Sequence, residues 1–157
     1  MDTILQVKDL CKKYEDFALD HVSFTLPRGC IMGFIGENGA GKSTTIRLIL
    51  NELKRDAGEI YIFGEENKSN TFKNDIGVVL DECNFHECFT AKVVGKILSG
   101  IYSSWNQKLY TDYLKKFKIP TDKQIGTFSK GMKMKLSIVC AMVHNAKLLI
   151  MDEATTG

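Results

Sequence analysis

Gly36-Glu37-Asn38-Gly39-Ala40-Gly41-Lys42-Ser43 fills every fixed position of the pattern G-x-x-x-x-G-K-[ST]. Before it, residues 30–35 (CIMGFI) form a short, mostly apolar run that reads as a buried strand. After it, in TTIRLILNEL, Ile46, Ile49, Leu50 and Leu53 recur at helical spacing. Strand, glycine loop and helix together are the context in which this pattern holds phosphate. Glycines let the backbone curl tightly and turn several N–H groups toward phosphate oxygens. A helix starting near Lys42 adds the positive end of its dipole. Lys42 reaches the β- and γ-phosphates as a point charge, and the Ser43 hydroxyl is offered to Mg2+. The stretch predicts nucleotide binding.

Outward from the loop, residues 3–8 and 20–26 alternate apolar and polar, as half-buried strands do. Pro27-Arg28-Gly29 is a turn signal. Residues 59–63 (EIYIF) and 76–80 (IGVVL) read as further strands. Residues 90–101 and 107–118 read as amphipathic helices, the first with a stripe of Val93, Val94, Ile97, Leu98 and Ile101. Residues 130–144 read as a long helix, and LLIMDE (148–153) as a last buried strand. Strands alternating with helices predict an α/β fold with a mainly parallel core sheet. The early alternating strands add a small antiparallel side sheet. The reading divides the chain into a core of residues 1–84 and 136–157 and a helical subdomain at about 85–135.

Composition is that of an ordinary globular chain: 157 residues, 44% hydrophobic, 25% charged, formal net charge +2. That balance offers no basic stripe and no support for nucleic-acid binding. No apolar run approaches the ~20 residues that cross a bilayer. The first ten residues do not read as a signal peptide. Five scattered cysteines fit a reducing compartment better than a disulfide framework, so the expected location is cytosolic, with any membrane role supplied by a partner. Cys83, His86 and Cys88 lie close in sequence but make a poor zinc set.

Two further features carry chemistry. Leu148-Leu149-Ile150-Met151-Asp152-Glu153 is an apolar strand ending in two acids. A chain leaving a buried parallel strand arrives at the carboxyl edge of the sheet, where ligands sit. Asp152 is placed there to hold Mg2+, and Glu153 to orient or deprotonate an attacking water. Phe128-Ser129-Lys130-Gly131-Met132-Lys133 opens the long helix. A Ser and a Gly flanking one residue at a helix start can serve as an N-cap, or can present a hydroxyl and N–H groups to an anion.

Together these elements resemble the nucleotide-binding domains of ATP-binding cassette (ABC) transporters, with the P-loop NTPase fold. GENGAGKST is similar to their Walker A motif, LLIMDEATTG to their Walker B motif with its catalytic Glu, and FSKGMKMKL to their signature. The SKGMK form resembles the bacterial ABC-2 and YtrB type of exporter ATPase. The resemblance implies that Tyr14 stacks on adenine, that Gly36, Asn38, Gly39, Ala40, Gly41, Lys42, Ser43 and Thr44 surround the phosphates, and that Lys42 and Glu153 are catalytic. It implies a head-to-tail dimer, in which Ser129, Lys130 and Gly131 of one ATPase domain meet the nucleotide of the other. It also implies ATP and Mg2+ as ligands, a permease as partner through the helical insert, and a peripheral place at the cytoplasmic face of a bacterial membrane.

The chain departs from the family in two places. Asp81 stands where a Gln is usual; as an ionised acid it only accepts hydrogen bonds. Its role stays open between reaching Mg2+ or water and being a solvated loop acid. The resemblance also implies a further strand after Gly157, inserted between the strand of residues 30–35 and the last strand, and a later His facing the γ-phosphate. None of His21, His86 and His144 takes that place, and His144 is expected to cap its own helix. Without that strand its two neighbours expose backbone and apolar side chains, so the chain is expected to be a fragment of a longer protein, unstable or exchanged alone, and weak or inactive as an ATPase. Two other functions remain alternatives: a soluble ABC ATPase outside transport, and an ATP-sensing regulatory module. Tyr102, Trp105, Tyr110, Tyr113, Lys115 and Lys116 are read either as a surface for the permease or as an ordinary helix with a core stripe.

Overall fold

The computed structural model describes residues 2–80 and 83–152, which divide between Lys73 and Asn74 into two compact units. In the first unit, β1 (Thr3–Lys13) and β2 (Ala18–Pro27) lead to the glycine loop and α1 (Lys42–Ile49), followed by β3 (Ala57–Ile62) and β4 (Glu65–Glu66). The strands form one antiparallel sheet in the order β2-β1-β3-β4. This is the side sheet that polar alternation predicts. Leu5, Val7, Leu10, Ile60 and Ile62 are buried, and so are Leu48, Ile49 and Leu50 at the end of α1.

Helix α1 stops sooner than its apolar spacing predicts. Asn51 takes a left-handed φ of 55°, and the amide of Glu52 turns back to the Arg47 carbonyl at 2.9 Å, so Leu53 falls beyond the helix. The last carbonyls of α1 are tied down by Asn67, which is fully buried. Its side-chain amide donates to Leu48 O and Ile49 O, both at 3.0 Å. Its own oxygen accepts from Arg55 at 2.7 Å. Arg55 in turn donates to Gly58 O and to the Glu66 carboxylate.

The strand expected at residues 30–35 does not form. Ile31 and Ile35 are fully exposed, at 102% and 97%, and Phe34 rests against Phe24 with ring centroids 5.5 Å apart. A buried strand needs neighbours to pair its N–H and C=O groups and a layer to cover its side chains. Among the described residues no strand pairs with this run, so apolar content alone does not make it a strand.

The second unit begins with β5 (Ile76–Val79), then α2 (Ala91–Ile101), α3 (Gln107–Lys116), α4 (Lys130–Met142) and β6 (Leu148–Met151). β5 and β6 pair in parallel, Ile76 with Leu148 through Val79 with Met151. Each helix opens on a polar cap: Thr90, Asn106 and Ser129 accept from the amide three residues on. Their core contains Val94, Tyr110, Leu114, Ile125, Leu136 and Val139. Gly95 is needed there, because a Cβ would enter the Tyr110 ring.

Two expectations are corrected in this unit, and a third reading left open between two alternatives is decided. On α2 the apolar stripe splits: Val94 is buried, but Val93, Ile97 and Ile101 are 40%, 42% and 60% exposed. On β6 only Leu148 is buried, while Leu149 and Met151 are 40% and 46% exposed. The aromatic residues of 102–113 face inward: Tyr110 is buried with its hydroxyl on Ala91 O at 2.7 Å, Trp105 and Tyr113 pack on the same core, and Tyr102 stacks on His144. His144 caps α4 as expected, with Nδ1 3.1 Å from Cys140 O, and its Nε2 also reaches Ile76 O at 3.1 Å.

Burial pushes the Cys140 thiol up to about 12, which makes it a poor nucleophile. In the first unit two acids move the other way. The Lys13 amide and the Lys12 ammonium hold Asp56 below its ordinary 3.8. The Lys68 ammonium, helped by Arg55, holds Glu66 below 4.5 against the opposing effect of desolvation. A lowered folded-state pKa adds stability that is complete above the unfolded value and disappears as pH falls through the folded one. The urea midpoint is therefore expected to fall as pH drops below about 4.5, less steeply in Glu66→Gln. Asn67→Ala removes the side-chain donor from Leu48 O and Ile49 O and one of the acceptors of Arg55, which keeps Gly58 O and Glu66. It should cost about 1–3 kcal/mol in urea unfolding; an unchanged midpoint would remove Asn67 from this role.

Candidate nucleotide-binding site

The glycine loop runs through solvent into the start of α1, with residues 36–40 exposed. Gly39 and Gly41 have φ of 86° and 91°, a conformation that disfavours any side chain. Gly41 is the N-cap of α1 and carries no side chain to bond the free amides, and the first turn holds no acid. The leading N–H groups of a helix have no intrahelical acceptor, so this end is polarised for an anion. Lys42 lies over the loop, its ammonium donating to Gly36 O at 2.7 Å and Glu37 O at 2.8 Å. Thr45 is buried and returns its hydroxyl to Gly41 O at 2.9 Å. Ser43 is exposed and Thr44 half-buried in the first turn.

Gly41 also meets the side sheet. A Cβ there would lie 2.5 Å from Leu19 Cδ2 and 2.6 Å from Phe17 Cζ. Phe17 stacks with Tyr14, centroids 6.3 Å apart, and the Lys12 ammonium lies 5.6 Å from the centre of the Tyr14 ring. Tyr14, 42% exposed, thus joins the glycine loop through Phe17. Sequence reading passed over Phe17, Leu19, Asn67 and Arg55. They belong to no motif, and their roles come from strand pairing and from a turn.

In the second unit Asp152 follows β6, and its amide donates to Val79 O at 2.8 Å. It stands at the carboxyl end of both parallel strands, where the sequence placed it. Ser129 is the N-cap of α4, accepting from Met132 N at 3.2 Å. Lys130 is exposed, and open space surrounds the position of a Cβ on Gly131. Lys133 pairs with Glu87 at 3.1 Å. Asp81 and Glu153 lie outside the described residues.

Residues 19–156 match the family described as ABC transporter. The chain belongs to that family. It is 37% identical to the bacitracin transport ATP-binding protein BcrA of Bacillus licheniformis, an alignment covering 100% of this chain and 53% of that protein. It is 30% identical to the ABC transporter ATP-binding protein YtrB of Bacillus subtilis, over 98% of this chain and 53% of that protein. A solved ATP-binding subunit of an ABC transporter superposes with a TM-score of 0.85 at 30% identity, covering 98% of this chain and 67% of the other. This ABC chain therefore has the P-loop NTPase fold, and it spans about half the length of those two sequence relatives. No helix among its described residues is long and apolar enough to cross a membrane.

The two loop glycines predict different costs. Gly39→Ala meets no atom within 4 Å and should lose only about 1–2 kcal/mol to left-handed strain. Gly41→Ala adds collisions with Leu19 and Phe17, about 1–3 kcal/mol more. Urea unfolding of the two variants checks this order; equal costs would contradict the packing of Gly41.

Proposed function

We propose that this chain is the nucleotide-binding part of an ABC transporter ATPase, which couples MgATP binding and hydrolysis to a membrane permease. The observation that carries the proposal is the glycine loop, seated on the uncapped start of α1 with the Lys42 ammonium drawn over it. In this reading Gly36, Asn38, Gly39, Ala40 and Gly41 shape the cradle. Lys42 trades two neutral carbonyls for anionic phosphate oxygens, which bind an ammonium more strongly. Ser43 and Asp152 hold Mg2+, Thr44 bonds a phosphate oxygen, and Tyr14 stacks on adenine. Glu153 orients or deprotonates the attacking water. Asp81 is a third candidate for the metal.

The signature is assigned to a second ATPase domain, packed head to tail. Ser129, Lys130 and Gly131 meet the γ-phosphate held by that partner, so nucleotide joins the two domains and hydrolysis parts them. The Ser129 oxygen accepts from Met132 N in the cap of α4, which leaves its O–H to donate to the γ-phosphate. A helical subdomain at about 85–135 carries the change to the permease. The exposed Val93, Ile97 and Ile101 row on α2 supports a partner on that side, in place of the aromatic residues that turn inward. The protein then works peripherally, at the cytoplasmic face of a bacterial membrane.

Equilibrium binding of a fluorescent ATP analogue to the full-length protein tests the cradle. Lys42→Ala removes charged hydrogen bonds worth about 1.5–3 kcal/mol, a fall of roughly 10- to 100-fold in affinity. Glu153→Gln should keep binding, stop turnover and accumulate an ATP-bound dimer on size exclusion. Unchanged turnover would remove Glu153 from its assigned role.

A further inference from the structure

The β1–β2 ladder carries an irregularity that the nucleotide chemistry does not use. Leu10 pairs with Val22, and Lys12 pairs with Leu19. Between those pairs one residue of β1, Cys11, faces two of β2, Asp20 and His21. This is a β-bulge, with His21 in a left-handed conformation at φ 49°. In a regular strand Asp20 and His21 would point to opposite faces. The bulge re-aims them, and one ligating atom from each of Cys11, Asp20 and His21 lies within 4.8 Å of the other two.

We propose that these three residues form a surface site for a divalent metal ion of the zinc class, with water as the fourth ligand. The donor set selects the ion. Thiolate, imidazole and carboxylate together suit Zn2+, whereas a single carboxylate is too little for Mg2+ or Ca2+. Tetrahedral bonds of about 2.0–2.3 Å set donors roughly 3.3–3.7 Å apart, so a rotation of side chains opens the His21–Asp20 pair from 2.6 Å and brings the three donors to one centre. Two of those side chains are free to turn: His21 is 72% and Asp20 82% exposed. The His21 amide points at Cys11 Sγ, 3.3 Å away. The same sulfur lies 3.4 Å from Asp9 O, to which the thiol donates. On binding, the metal takes the place of the thiol proton, which leaves to solvent, while neutral His21 offers Nδ1, now 2.6 Å from Asp20 Oδ1, and carries its one ring proton on Nε2. Nothing is oxidised or reduced.

The test is titration of the reduced, nucleotide-free full chain with Co2+, then displacement by Zn2+. One equivalent of cobalt should give a thiolate-to-cobalt charge-transfer band and ligand-field bands of tetrahedral intensity. Cys11→Ser should abolish the charge-transfer band, and His21→Ala should weaken Zn2+ binding at least about tenfold. Asp20→Asn, at a position too exposed to disturb folding, should weaken it as well. The double variant Cys83→Ser/Cys88→Ser should keep the band. A chain without the band overturns the proposal. So does a band that survives Cys11→Ser, or one that disappears with Cys83 and Cys88.

Discussion

A helix whose first amides find no acceptor among the described residues is the constraint on which the first unit is arranged. At the start of α1 the cap is a glycine, the first turn has no acid, and the adjacent Lys42 reaches back over the loop rather than outward. The opposite end is closed with polar bonds from a buried side chain, Asn67, braced by Arg55 and Glu66. One end is satisfied by the protein and the other is left for an anion. Rigid support at the closed end holds the open end in a defined place.

The open end is also held directly, by the side sheet. Leu19 and Phe17 come so close to Gly41 that no side chain fits between them, and Tyr14 stacks on Phe17. Tyr14 and the glycine loop are thereby joined by three contacts in one unit. In the second unit β5 and β6 carry Asp152 to the end of a parallel pair, and β5 is tied to the end of α4 by His144. Both units present apolar side chains to solvent, Ile31 and Ile35 in one, Leu149 and Met151 in the other.

The elements that were legible in the sequence are those whose signal is local. Alternation along β1 and β2, the cap residue Ser129, and the glycine pattern at 36–43 each follow from the residues themselves. What was not legible depends on neighbours distant in sequence. Residues 30–35 have the composition of a buried strand, yet strand formation is a property of a pair, and no described strand pairs with them. The α2 stripe contains more apolar residues than one core face can cover, and spacing alone does not say which remain outside. Asn67 and Arg55 are ordinary polar residues until the turn after α1 brings them together. Cys11 and the pair Asp20-His21 become neighbours only through a bulge, which no short motif announces.

The central claim is that the amides around Lys42 receive a triphosphate. A crystal structure of the full-length protein with a MgATP analogue tests it most directly. The account predicts phosphate oxygens on the amides of residues 39–44, with the Lys42 ammonium moved from Gly36 O and Glu37 O onto the β- and γ-phosphates. Nucleotide bound elsewhere, with Lys42 still on those two carbonyls, would contradict it.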